Sequence, residues 1–107
     1  MKQIDLFKNI VATYRKHGWQ LMRVLLQPET RAEVTGDIEQ HFIRESDIDA
    51  LWFSRPSHAN REAWELRLLS ETPYALFETF EAEKGEEARE LMRQKMEARL
   101  REHVGVR

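Results

Sequence analysis

Large apolar and charged side chains alternate strictly over Ala63-Trp64-Glu65-Leu66-Arg67-Leu68. A period of two marks a strand with one dry face and one wet face. A second apolar run, Ile48 to Phe53, precedes it, with Arg55-Pro56-Ser57-His58-Ala59-Asn60-Arg61 between them. Together they predict a hairpin of strands 47–55 and 62–70 joined by a loop over 56–60. Setting Arg55 opposite Arg61 pairs Trp52 with Trp64, Ala50 with Leu66 and Ile48 with Leu68. All six then share one face, and Asp49 meets Arg67 on the other.

Elsewhere the period lengthens. Ile4, Phe7, Val11 and Tyr14, flanked by Leu6 and Ile10, form one stripe of a helix over 2–17. Arg15, Lys16 and His17 suit its negative end, and Gly18 stops it. Residues 19–27 predict a strand with Met22, Val24 and Leu26 on one face and Leu21, Arg23 and Leu25 on the other. Pro28 ends that strand and opens a short helix over 28–35, closed by Gly36. Residues 37–46 carry only a partial helical spacing (Ile38, Phe42, Ile43) and fit a packed loop equally well. Over 74–80, three aromatic residues in seven favour a strand, although Thr72-Pro73 would also start a helix. Residues 85–103 predict a helix on the stripe Ala88, Met92, Met96 and Leu100, thickened by Leu91, with surface pairs Arg93–Glu97 and Glu97–Arg101.

These elements predict an α+β fold in the order α-β-α-β-β-β-α. The sheet is three- or four-stranded and mainly antiparallel, with helices packed on it, and the chain forms one domain over 1–107. Hydrophobic residues at 41% and ten aromatics are enough for one core and argue against disorder. A net charge of −2 gives no overall basic field, so nucleic acid is not the expected partner. With no cysteine, disulfides, thiolate catalysis and cysteine-based metal sites are excluded. No apolar run is long enough for a signal core or a membrane span, and the expected location is the cytoplasm.

The candidate chemistry is sparse. Asp47-Ile48-Asp49 followed by Glu65-Leu66-Arg67 resembles the arrangement by which restriction-endonuclease-like nucleases hold a metal. In that family an acidic residue precedes a hairpin partner carrying (Asp/Glu)-x-Lys. The resemblance implies carboxylates on Mg²⁺ and a basic residue beside the attacking water. The pattern departs at Arg67, which stands where the family has lysine, and arginine is a poor base. It also lacks a strand after the terminal helix. The competing reading is an Asp49–Arg67 ion pair across the hairpin, and it needs nothing further.

His17, His41, His58 and His103 lie too far apart for a local zinc motif, no G-x-S-x-G surrounds a serine, and four scattered glycines make no phosphate loop. No metal and no cofactor is expected. Arg15, Lys16 and His17 with Arg23 and Arg31 could gather beside Trp19 into a basic edge, but helix-end compensation explains them more simply.

The expected function is a non-catalytic interaction domain, self-associating as a homodimer or binding another protein. Its surface is expected from Leu51, Phe53 and Leu69 on the wetter sheet face, or from Met92 and Met96 on the terminal helix. Leu21 and Leu25 are expected to join Leu51 and Phe53. The alternative is a small ligand binder or enzyme with a helix–sheet pocket, drawing on His41, Asp47, Asp49, His58, Glu65 and Arg67.

Overall fold

A computed structural model of the chain describes residues 2–34 and 36–105. The first amphipathic stripe forms α1 (Gln3–Lys16), which buries Leu6, Phe7, Ile10 and Val11. It ends at Gly18, whose φ of +85° is the left-handed geometry that glycine adopts without a Cβ clash. Next come β1 (Gln20–Leu26) and α2 (Pro28–Glu33), which has proline in its first turn. The predicted end of that helix at Thr35 lies outside the described residues. The segment of uncertain spacing holds a 3-10 turn at Gln40–Phe42 and a three-residue strand, β2 (Ile43–Glu45). The hairpin is β3 (Ala50–Pro56) and β4 (Arg61–Leu68), followed by β5 (Ala75–Glu81) and α3 (Glu86–Val104). Among the described residues no helix is long and apolar enough to cross a membrane.

The fold is α+β with one mixed sheet of five strands in the order β2-β1-β3-β4-β5. This corrects the expected three or four strands. The strand that was not foreseen, β2, pairs parallel to β1 (Val24 opposite Ile43), while all other neighbours are antiparallel. A strand of three residues with burial only at Ile43 is too short to show a period of two, so the pattern could not reveal it.

One core lies under α1 and holds Leu51, Phe53, Val24, Leu26 and Leu69. The other lies under α3 and holds Trp52, Trp64, Leu66, Leu25, Met96 and Leu100. The two indoles meet edge-to-face at 5.9 Å, with Trp52 fully buried.

Two registers differ from expectation. The hairpin pairs Trp52 with Leu66 and Ser54 with Trp64, two residues away from the expected pairing. The chain reverses tightly at Ala59 and Asn60, both at positive φ (55° and 59°), and β3 runs on through Pro56 instead of ending in a five-residue loop. A shift of two keeps every side chain on its face. It also separates the like charges: Arg55 stacks over Trp19 at 4.5 Å, and Arg61 faces Glu81.

In β1 the register slips between Leu21 and Arg23, leaving Met22 as a bulge. Leu21 therefore joins Val24 and Leu26 under α1, whereas Arg23 and Leu25 turn to the α3 side.

Asp49, just before β3, ties the hairpin to α2. Its carboxylate accepts the Gln27 N–H (2.8 Å), the Gln27 side-chain amide (3.2 Å) and the Thr30 hydroxyl (2.7 Å). Gln27 precedes the first helical residue and makes no side-chain cap of its own, so Asp49 serves as the cap from a distant part of the chain.

Asp49→Ala is expected to lower unfolding stability by about 2 kcal/mol, read as a shift in the urea midpoint. Ala59→Gly relieves a left-handed alanine at φ 55°. It should raise stability by about 0.5–1 kcal/mol in the same assay.

Candidate functional site

The four residues of the nuclease-like pattern do not converge. Asp49 caps α2, as above. Asp47 accepts a hydrogen bond from Arg101 Nε on α3 (2.6 Å). Glu65 accepts the Tyr14 hydroxyl from α1, whose ring stacks on Phe53 at 4.0 Å. Burial, followed by the Glu65 carboxylate, pushes the Tyr14 hydroxyl well above its usual pKa. Arg67 sits opposite Leu51 rather than Asp49, and its guanidinium donates to the carbonyls of Leu68 and Ser70. The expected Asp49–Arg67 pair is therefore replaced by separate contacts, because the hairpin register moved.

Among the described residues no three of His, Asp or Glu stand together to hold a metal. His41 lies beside Glu39 at 3.3 Å, His17 beside the Thr13 carbonyl at 2.9 Å, and His103 stacks on Tyr74. His58 is exposed at the hairpin tip. The basic residues disperse as well: Arg23 faces α3, while Arg31 donates to Gln40.

The expected contact residues lie inside. Leu51, Phe53 and Leu69 are buried under α1, Met96 is buried under α3, and Met92 is half-buried against the same core. The sheet face they belong to is covered by the chain's own helices.

Two other places remain open to a partner. The first is a cleft of about 310 Å³ between the N-terminal half of α3 and the sheet, lined by Met22, Trp52, Ser54, Trp64, Arg89 and Arg93, with Glu62 and Glu86 at its edge. A chain of charge runs through it from β1 to β4. Arg23 Nη1 and Arg93 Nε share one Glu90 oxygen (3.2 and 3.4 Å). Arg93 also donates to Glu86 and lies over the Trp64 ring at 5.0 Å. Arg89 reaches Glu62 (3.1 Å) and Glu86 (3.9 Å), and Glu62 accepts the Trp64 indole N–H (3.0 Å). Trp52 donates its indole N–H to Glu97 (2.9 Å).

Burial acts to raise the Glu90 carboxyl, but the Arg23 hydrogen bond and the Arg93 charge outweigh it and hold the pKa below the usual range. The Arg101 hydrogen bond does the same for Asp47.

The pattern does not reveal these residues because it sets Arg93 on the surface with Glu97. The buried line of α3 is Arg93, Met96 and Leu100, rotated from the expected stripe, so Ala88 and Leu91 face solvent. The signal was present: Glu86, Glu90 and Arg93 fall on one helical line that continues into Met96 and Leu100.

The second place is the outer edge of β5. Leu68 N–H bonds the Tyr74 carbonyl and Ala82 N–H bonds the Asn60 carbonyl, both at 2.9 Å, at the two ends of the β4–β5 ladder. Alternation from these anchors turns the backbone N–H and C=O groups of Ala75, Phe77, Thr79 and Glu81 outward, away from β4. Two of those carbonyls already have donors: Thr79 accepts from the Arg61 guanidinium (3.4 Å) and Glu81 from the Lys84 N–H (3.1 Å). Phe77 is 54% exposed and meets Trp19 edge-to-face at 6.4 Å. At the same edge a depression of about 220 Å³ lies between β5 and α3, lined by Phe80, Met92, Ala88 and Thr79, with Arg61, Glu81, Lys84 and Arg89 around them.

Comparison of the chain with models of known protein families, with curated proteins and with solved structures finds no match.

Because Glu90 and Asp47 hold their protons off to lower pH in the fold than in the unfolded chain, their contribution is complete above the ordinary carboxylate range. It is lost as pH falls through the lowered values. Glu90→Gln should cost about 1 kcal/mol at pH 7, a modest figure for a carboxylate more than a third exposed. It should also flatten the loss of stability on acidification, as urea unfolding measured at steps from pH 7 to pH 2 would show.

Proposed function

We propose that this domain is a non-catalytic protein-interaction module that accepts an extended segment of a partner along the open edge of β5. The observation that carries the reading is the edge strand itself, whose outward N–H groups at Ala75, Phe77, Thr79 and Glu81 and outward carbonyls at Ala75 and Phe77 face away from β4, with a half-exposed phenylalanine in the middle. An edge of this length is a template for one more strand unless it is blunted or covered. Strand addition supplies affinity through main-chain hydrogen bonds and specificity through alternate side chains. On one face the added residues would lie beside Phe77, and on the other in the depression lined by Phe80 and Met92.

Charge selects the occupant. From β5 into the first turn of α3 the chain carries Glu78, Glu81, Glu83, Glu86 and Glu87 against Lys84; Arg61 answers Glu81 and Arg89 and Arg93 answer Glu86, so the surplus lies at Glu78, Glu83 and Glu87. Two copies paired antiparallel about Glu78 would set Glu78 against Glu78, and like charges directly opposite destabilise a sheet. A basic, β-branched segment of another protein fits better than a second copy. The scatter of the carboxylates and histidines over separate contacts supports a role without catalysis.

Hydrogen exchange with a synthetic peptide of alternating lysine and valine tests this reading. In the free domain the outward amides of Phe77, Thr79 and Glu81 should exchange fast, and those of Leu76, Glu78 and Phe80 slowly. Adding the peptide should protect the outward set. Thr79→Pro removes one outward N–H at a position where an edge strand tolerates proline, and it should weaken binding at least about tenfold. Protection that grows with domain concentration alone would assign the edge to a second copy. No protection by the peptide at any concentration would end the reading.

A further inference from the structure

We propose that the cleft under α3 is a binding site for a small aromatic monocarboxylate, and that the Glu86 carboxylate is the intramolecular competitor such a ligand displaces. The inference concerns the face of the sheet behind β5 and is independent of strand addition.

The argument begins with an asymmetry in burial. The side chains of Arg93 and Arg89 are 5% and 18% exposed, whereas that of Glu86, which both of them reach, is 70% exposed. The guanidiniums are therefore fixed and the carboxylate is not. Arg93 is held on the Trp64 ring and by Glu90, and Arg89 by Glu62 and the Ala82 carbonyl (2.6 Å). If Glu86 swings into water, Glu90 and the Trp64 ring still hold Arg93 and Glu62 and the Ala82 carbonyl still hold Arg89, while the donors Glu86 had met are left for an incoming carboxylate. Arg89 Nε is buried with no hydrogen-bond partner, and a buried N–H without an acceptor is costly. A carboxylate at the Glu86 position, free of the helix backbone, has the geometric freedom to serve Arg93 and Arg89 together.

Charge sets the valence of the ligand. Arg23, Arg89 and Arg93 are balanced by Glu62, Glu86 and Glu90. With Glu86 displaced, three cations face two anions, and one negative charge restores neutrality where two would exceed it. The site also adjoins the first turn of a 19-residue helix, whose dipole favours an anion there.

Shape sets the body of the ligand. The cleft of about 310 Å³ is at the small end of small-molecule sites. Its remaining walls are the nearly buried Trp64 ring, with the fully buried Trp52 behind it, the Met22 side chain (43% exposed) and Ser54. Met22 and Trp64 beside a convergent pair of guanidiniums suit one flat ring carrying one carboxylate, because the planar guanidinium fork matches carboxylate geometry.

Benzoate and acetate serve as probes, titrated at low ionic strength into the wild-type domain, Glu86→Gln and Arg89→Ala, with tryptophan emission as the readout. Circular dichroism confirms that each variant is folded. Saturable benzoate binding is expected, weaker for acetate, which lacks the ring. Glu86→Gln removes the charged competitor and should tighten benzoate binding about tenfold, and Arg89→Ala, if folded, should abolish it. The proposal is overturned if benzoate gives no saturable response in either the wild type or Glu86→Gln. Equal affinity of those two proteins would overturn it as well. Thr79→Pro at the β5 edge should leave benzoate binding unchanged, which keeps this outcome separable from that of strand addition.

Discussion

The arrangement of α3 turns on one buried cation. The Arg93 side chain is 5% exposed, lies over Trp64, and is flanked by carboxylates from its own helix. Removing a guanidinium from water is expensive unless its donors are met. Glu86 and Glu90 meet them, and each is tied onward, Glu90 to Arg23 on β1 and Glu86 to Arg89, which reaches Glu62 on β4. Apolar burial on α3 is limited to Met96 and Leu100, with Met92 half-covered. The rotation of this helix about its axis puts Arg93 on the buried line together with Met96 and Leu100.

Two consequences follow from that rotation. Ala88 and Leu91 are left facing solvent, and the N-terminal half of the helix stands off the sheet on side chains long enough to leave a cleft beside the tryptophans. On the opposite face α1 lies over β1 and β3, with Tyr14 reaching β4 through Glu65. Neither helix extends across the outer edge of β5, where Phe77 is exposed. Three helices on five strands cover both cores but not this last edge, so what the fold leaves uncovered is an edge and a cleft, while the face of Leu51 and Phe53 is buried.

Strong periodicity was readable wherever a segment is amphipathic and long enough to repeat. The helices around Phe7 and Met96, the tryptophan hairpin and the strand of Leu76 and Phe80 all form where the pattern placed them, although α3 is rotated so that Ala88 and Leu91 are exposed and the hairpin is buried on both faces. The chain shows less about points at which one residue changes the phase. The bulge at Met22 sends Leu25 and Arg23 to the α3 side, and the left-handed pair Ala59-Asn60 moves the hairpin register by two. A bulge alters no hydropathy, and alanine carries no signal for positive φ. The candidate sites suffered most, because they depend on register: Asp49 and Arg67 were neighbours only in the expected pairing.

From its amino-acid order alone the protein is an α+β chain with both tryptophans of the hairpin on one dry face, since periods of 3.6 and 2 are local and survive any arrangement of the elements. Which cation would be buried, which carboxylate would cap α2 and which strand would stand at the edge were decided only by tertiary structure. Each of those outcomes joins residues far apart in the chain, as Asp49 with Thr30 and Arg23 with Glu90. Their contact exists only once register, bulge and helix rotation have been chosen together, because burial of a charge is favourable or costly according to the partner that folding brings to it.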